Sequence, residues 1–323
     1  MNISAKPLSG KTLAPIHPNE GVMAAYRKKL DALILAMHRS VMFWLSAAYR
    51  ANQPEMAGDE LDFKESEKLR IQTVLAKAIA RNGTPANVIN EVVQRLSKHW
   101  EKKFYDAAPE LARYFSLAMA DRADSALMAI LKKSGWAVEF KMTAEVRDVL
   151  QASIHQNVSL IKSIHETYFS QVEGAVMRSV AAGRDLHTLS KELGPLIDLD
   201  RIGKGRKPGE SDSSLLARTQ RRANFIARDQ ANKATASITR TRYQGLGIKT
   251  AIWMHSHGGK EPRKSHVAFS GKEYDIEKGA YLDGVWTWPG VEPNCRCVCK
   301  PVIPTREDYV KAQSKRSEAG VTA

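Results

Sequence analysis

Residues 215–254 read LLARTQRRANFIARDQANKATASITRTRYQGLGIKTAIWM, and the change of period inside this stretch decides the fold class. At about 100° per residue, Leu216, Ala223, Ala227, Ala231, Ala234 and Ile238 fall on one face, so residues 215–244 read as a helix. Alanine on the buried face lets a second helix or a sheet approach closely. Gly245 and Gly247 end the helix, because glycine takes the left-handed backbone that helix termini need. Ile248–Met254 then reads as a strand.

Working outward towards the C-terminus, Cys295–Val302 reads as a second strand. Gly258-Gly259, Ser270-Gly271, Gly279, Asp283-Gly284 and Pro289-Gly290 supply turns between the two. Towards the N-terminus, residues 195–214 hold Pro195, Gly203, Gly205, Pro208 and Gly209 and read as a linker, with Arg201, Lys204, Arg206 and Lys207 inside it. Helices are expected at about 185–193, 157–182, 143–154, 110–133, 85–105 and 65–81. Thr84 and Pro85 begin one of these and Asn82-Gly83 ends another. Trp136–Met142 alternates like a short strand. A long helix over 19–51 carries Val22, Tyr26, Leu30, Leu33, Met37, Val41, Trp44 and Ala48 at spacings of three and four. The expected fold is mainly α with a small C-terminal α+β region: a flexible arm over 1–18, a helical module over 19–133, a mixed domain over 134–303 and a polar tail over 304–323.

Composition sets the outer limits. With 43% hydrophobic and 26% charged residues, the 323-residue chain is globular. Its 49 Lys+Arg against 35 Asp+Glu leave +14, which favours an anionic partner, either nucleic acid or an acidic protein surface. Arg218, Arg221, Arg222, Arg228, Lys233 and Arg240, with Arg242, lie off the alanine face of helix 215–244. They could contact phosphates or an acidic surface, or simply be solvated. All three cysteines, Cys295, Cys297 and Cys299, fall within five residues, so no disulfide framework is expected and a reducing cytoplasm fits. The start of the sequence has no apolar stretch of signal-peptide length. Apolar runs such as Ala32–Met37 fall short of a bilayer span, so no membrane partner is expected.

The densest chemistry sits between Trp253 and Cys297. Trp253 is followed by Arg-x-Ser-His from Arg263 to His266, then Gly271, then Asn294-Cys295-Arg296-Cys297. In this order, after an Arg- and Ala-rich helix, the set resembles the Mu F-like minor head (head morphogenesis) family of bacteriophages, and the helical stretch 157–193 is similar to that family's helical part. The resemblance covers about 140–303 and makes 134–303 a head-morphogenesis domain behind a helical N-terminal module. It implies a minor capsid protein of the phage head, made in the host bacterial cytoplasm and taking part in head morphogenesis. The implied partners are the portal protein, the major capsid or scaffolding protein and double-stranded DNA, with a role in DNA packaging or ejection and portal binding through 19–133. A basic DNA-binding internal virion protein is the alternative.

On their own terms, thiolates and an imidazole suit Zn²⁺. His266, Cys295 and Cys297, with Cys299 or His257 as the fourth ligand, make a metal set, since alternate strand residues share a face. The Cys-x-Cys-x-Cys spacing departs from the usual Cys-x-x-Cys, and buried apolar cysteines beside a hydrogen-bonded histidine are the other reading. A Cys295–His266 nucleophile pair, or a metal-dependent hydrolase or nuclease drafting His266, Asn294 and Glu261, lacks further catalytic parts, and residues 203–206 do not form a phosphate loop. No enzymatic activity and no cofactor beyond this Zn²⁺ option are therefore expected. Trp253, Trp286 and Trp288 are expected to pack the β region onto the helices.

Overall fold

The computed structural model describes residues 12–50, 69, 73, 85–181, 186–194, 213–258 and 261–303. Among these, α1 spans Glu20–Arg50, α2 Pro85–Lys133, α3 Ala144–Ala181, α4 Leu186–Leu193, α5 Leu215–Gly245 and α6 Lys264–Ala268. The strands are β1 (Thr250–Met254), β2 (Glu273–Asp275), β3 (Ala280–Leu282), β4 (Val285–Thr287) and β5 (Val298–Pro301). The fold is mainly α with a small C-terminal α+β region. All but Leu69 and Thr73 of the expected helix at 65–81, most of the linker at 195–214 with its four basic residues, and the tail after residue 303 lie outside the described residues.

Two pairs of expected helices are single helices. The break near residue 107 does not occur, because Phe104, Ala108, Ala112 and Phe115 are all fully buried and carry one apolar stripe through the region. Pro109 sits inside α2 and removes one backbone N–H without ending it. Likewise α3 runs unbroken through His155 and Gln156, which are exposed and leave the buried face intact. Trp136–Met142 forms no strand. Its alternation is real, since Trp136, Val138 and Phe140 pack against the core, but the segment has no ladder partner.

The chain resolves into two compact units, each assembled from separated segments. One comprises Ala24–Leu111 and Asn157–Ile226 and is helical. Its core is built from Tyr26, Leu30, Ile34, Met37 and Trp44 of α1, Leu96, Trp100 and Phe104 of α2, and Ile161, Ile164 and Tyr168 of α3. Two pairs of buried polar groups bond across its helices: Tyr26 OH donates to Asn157 Oδ1 at 3.2 Å, and His38 Nδ1 lies 2.8 Å from Tyr168 OH. By length and composition Glu20–Tyr49 could cross a bilayer, yet 61% of its apolar window is buried within the protein, as in a core helix.

The other unit comprises Met1–Met23, Ala112–Gln156 and Ala227–Ala323. It holds a three-stranded antiparallel sheet, order β2-β1-β5, and the hairpin β3-β4. Central β1 buries Ala251 and Trp253 by strand alternation, and both join a core with Leu127, Leu131, Tyr243, Leu246 and Ile248. Residues 12–18, read from the sequence as a flexible arm, belong to this core. Leu13 and Ile16 are buried, Thr12 bridges Val302, and Leu13 N donates to Pro301 O at 2.9 Å. Two apolar side chains in a proline-rich segment sufficed to dock it. Arg242 of α5 donates from Nε and Nη2 to the two oxygens of Asp124 at 2.9 and 2.6 Å, and from Nη1 to Lys141 O at 2.7 Å.

Candidate functional site: a buried histidine–cysteine knot

Trp253 organises the site. It is fully buried at the centre of the sheet, with His266, Phe269 and Tyr274 edge-on around its rings at centroid distances of 5.0, 5.8 and 5.9 Å. The chain returns past it: Trp253 N donates to Lys272 O, and Gly271 N donates to Trp253 O at 2.8 Å. Gly271 has φ +84°, the left-handed region where a Cβ is strained, which is why glycine stands there. This return carries α6, with Arg263 as its N-cap, across the indole and buries His266 to 3% exposure.

The cysteines arrive from the other side. Strand β5 begins at Val298, so Cys295 and Cys297 precede it in a turn rather than alternating along a strand. That turn aims both sulfurs at one atom. Cys295 Sγ lies 3.5 Å and Cys297 Sγ 3.7 Å from His266 Nδ1, and both thiols are buried. Cys299 leaves the group: it lies within β5, paired in register with Trp253, and its thiol bonds Tyr274. His257 is exposed, with its N–H donating to His255 Nδ1. Of the expected metal set the structure therefore assembles His266, Cys295 and Cys297, and Cys299 is corrected out of it.

The two thiols titrate as a pair. The Cys297 S–H bond to Cys295, then backbone N–H groups of Cys297 and Gly290 and the nearby His266, hold Cys295 well below the usual thiol range despite its burial. Cys297 is pushed up, first by its bond to that sulfur and then by desolvation. Gly290 N reaches Cys295 Sγ at 3.4 Å because the Pro289-Gly290 turn lies against α5. A Cβ on Gly290 would meet Ala236 Cβ at 3.0 Å, and the residue has φ +83°.

The remaining motif residues fasten the cysteine turn. Asn294 adopts φ 58°, which asparagine tolerates better than most residues. Its Oδ1 accepts from Arg228 Nε and Nη2 at 3.2 and 2.9 Å, and its backbone N–H donates to Asp229 Oδ1 at 2.7 Å. Arg263 Nη2 donates to Pro293 O at 2.9 Å. Arg296 is half-buried and close enough to Arg228 to lower that guanidinium's proton affinity, after burial as the main cause. Asp229, which the motif reading passed over, is 4% exposed and also holds Lys233 Nζ at 2.8 Å.

The cationic positions of α5 divide accordingly. Arg228 and Lys233 serve this turn, and Arg240 lies 4.2 Å from the Trp288 ring centroid. Arg218, Arg221 and Arg222 are exposed, with Arg218 reaching Gln171 and Arg222 reaching Ser163. Trp288 is held by its indole N–H on Ile276 O. Trp286, expected to pack inwards, is 58% exposed and pairs with Tyr281 across the β3–β4 hairpin.

Residues 170–300, from the latter part of α3 to β5, are similar to the family described as Phage Mu protein F like protein. The chain is also similar to an uncharacterized protein of Haemophilus influenzae (strain ATCC 51907 / DSM 11121 / KW20 / Rd), 34% identical over 155 residues. That alignment covers 48% of this chain and 30% of the relative, so the chain spans under a third of that protein's length. No solved structure matches.

Proposed function

We propose that this protein is a minor component of a bacteriophage head, acting in head morphogenesis beside the portal and the capsid shell. One observation carries the reading: the Mu F-like match over 170–300 coincides with a site whose motif residues are committed to holding the fold. Asn294, Arg263, His266 and both proximal cysteines bond one another or their scaffold. His266, Cys295 and Cys297 are 3–4% exposed, which suits an assembly module better than a hydrolase needing substrate at its nucleophile. The net charge of +14 suits a place beside DNA or acidic subunits.

The test is co-expression with portal, major capsid and scaffolding proteins from the same phage genome, followed by affinity isolation and size-exclusion chromatography. A stable complex with at least one of them is expected. Absence of the protein from all three complexes and from purified heads would refute the reading.

A DNA-binding role is favoured by Arg218, Arg221 and Arg222, which are exposed at i, i+3 and i+4 of α5. Its signature is duplex-DNA affinity that falls steeply with salt and falls further in the triple alanine variant. Affinity unchanged by salt would remove it.

A further inference from the structure

His266 Nδ1 stands nearly equidistant from two sulfurs, at 3.5 and 3.7 Å. A neutral imidazole nitrogen has one proton to give or one lone pair to offer, so hydrogen bonding alone would draw it towards a single thiol. A common cation explains the symmetry. With Zn–S about 2.3 Å and Zn–N about 2.05 Å, tetrahedral angles put nitrogen and sulfur about 3.6 Å apart. All three donor atoms lie within 4.8 Å of one another.

We propose that His266, Cys295 and Cys297 form a structural Zn²⁺ site that fastens the Asn294–Cys297 turn to α6. Charge supports it. A dication with two thiolates and a neutral imidazole has no net charge, which suits groups that are 3–4% exposed. The surroundings support it too. The Gly290 N–H reaches Cys295 Sγ and the Ser256 N–H serves Cys297, and such N–H···S bonds hold thiolates in place around a metal. The Trp253 indole N–H is buried without an oxygen or nitrogen acceptor, and the Cys297 sulfur is the group it approaches. Among the described residues these three donors alone come together, and a water completes the tetrahedron. Cys299 lies outside the shell. This goes beyond the head-assembly reading and does not rest on it.

The experiment uses the full chain, purified without chelator and analysed for metal, beside Cys295→Ser, Cys297→Ser and Cys299→Ser. One zinc per chain is expected in the parent and in Cys299→Ser, with at least a tenfold loss of affinity in the other two. If those two do not fold, the parent is stripped under reducing conditions and titrated with Co²⁺. One equivalent should then give tetrahedral d–d bands and a thiolate-to-cobalt charge-transfer band, and two of the three thiols should become unreactive to a thiol reagent. Absence of both stoichiometric zinc and the charge-transfer band overturns the site. So does a Cys295–Cys297 disulfide in the freshly isolated protein, or loss of metal in Cys299→Ser equal to that in Cys295→Ser.

Discussion

Replacing Asp229 with alanine should loosen the whole cysteine turn. The carboxylate accepts the Asn294 N–H at 2.7 Å, Lys233 Nζ at 2.8 Å and Gln230 Nε2 at 3.2 Å, and is 4% exposed. A hydrogen bond to a charged group contributes about 1.5–3 kcal/mol. The Lys233 pair adds at most about 1 kcal/mol, because the lysine side chain is 21% exposed. Asp229→Ala should therefore cost about 2–4 kcal/mol. Asp229→Asn keeps an oxygen for the Asn294 N–H and should recover roughly half of that loss. Urea unfolding followed by tryptophan fluorescence gives the stability, and reaction of Cys295 and Cys297 with a thiol reagent reports the turn directly. Both variants should expose these thiols faster than the parent does, alanine more than asparagine. A loss below about 0.5 kcal/mol for Asp229→Ala, with unchanged thiol kinetics, would refute the view that this acid anchors the turn.

Asp124→Ala should cost about 3 kcal/mol by stranding the Arg242 guanidinium, whose side chain is 7% exposed, while Asp124→Leu with Arg242→Met should regain most of it; a double-mutant cycle by chemical denaturation checks this. Burial raises the Asp31 carboxyl to about 6, against a smaller lowering from Arg27, so the folded state holds its proton more tightly than the unfolded chain. The stability this contributes is complete below the unfolded value of 3.8 and is lost as pH rises through 6, so Asp31→Asn should melt higher than the parent above pH 6 and show no gain well below 3.8. Deleting residues 1–18 removes Leu13 and Ile16 from the core, and at about 1.5–3 kcal/mol per buried side chain calorimetry should record a melting point several degrees lower.

The transition from α5 to β1 was legible because period and glycines agreed there. The motif from Trp253 to Cys297 was legible as a cluster because its residue types are rare and closely spaced. What the cluster does locally was not. Alternation along an assumed strand put Cys295, Cys297 and Cys299 on one face, whereas the turn at Pro293–Cys297 aims two sulfurs at His266 and leaves the third beside Tyr274. Asp229 was hidden among the cations of α5. Its one available signal was that it is the sole acid in a helix carrying Arg218, Arg221, Arg222, Arg228, Lys233, Arg240 and Arg242. Helix continuity through residue 107 and the docking of Leu13 depend on burial supplied by distant segments, which local pattern cannot contain.

The bond from Leu13 to Pro301 joins residues 288 apart (301 − 13), close to the full span of the chain. At ribosomal rates of about 5–20 residues per second, the first partner emerges about 15–60 s before the second. Throughout that interval Leu13 and Ile16 have no complete sheet to enter, and β1, once made, still waits for the β5 neighbour that covers one of its edges. The polypeptide must therefore pass through a translation stage in which these apolar groups are uncovered. Chaperone dependence and slow, non-local refolding should follow from this topology. A circular permutant that synthesises residues 12–18 directly after Ile303 should shorten the wait and fold faster.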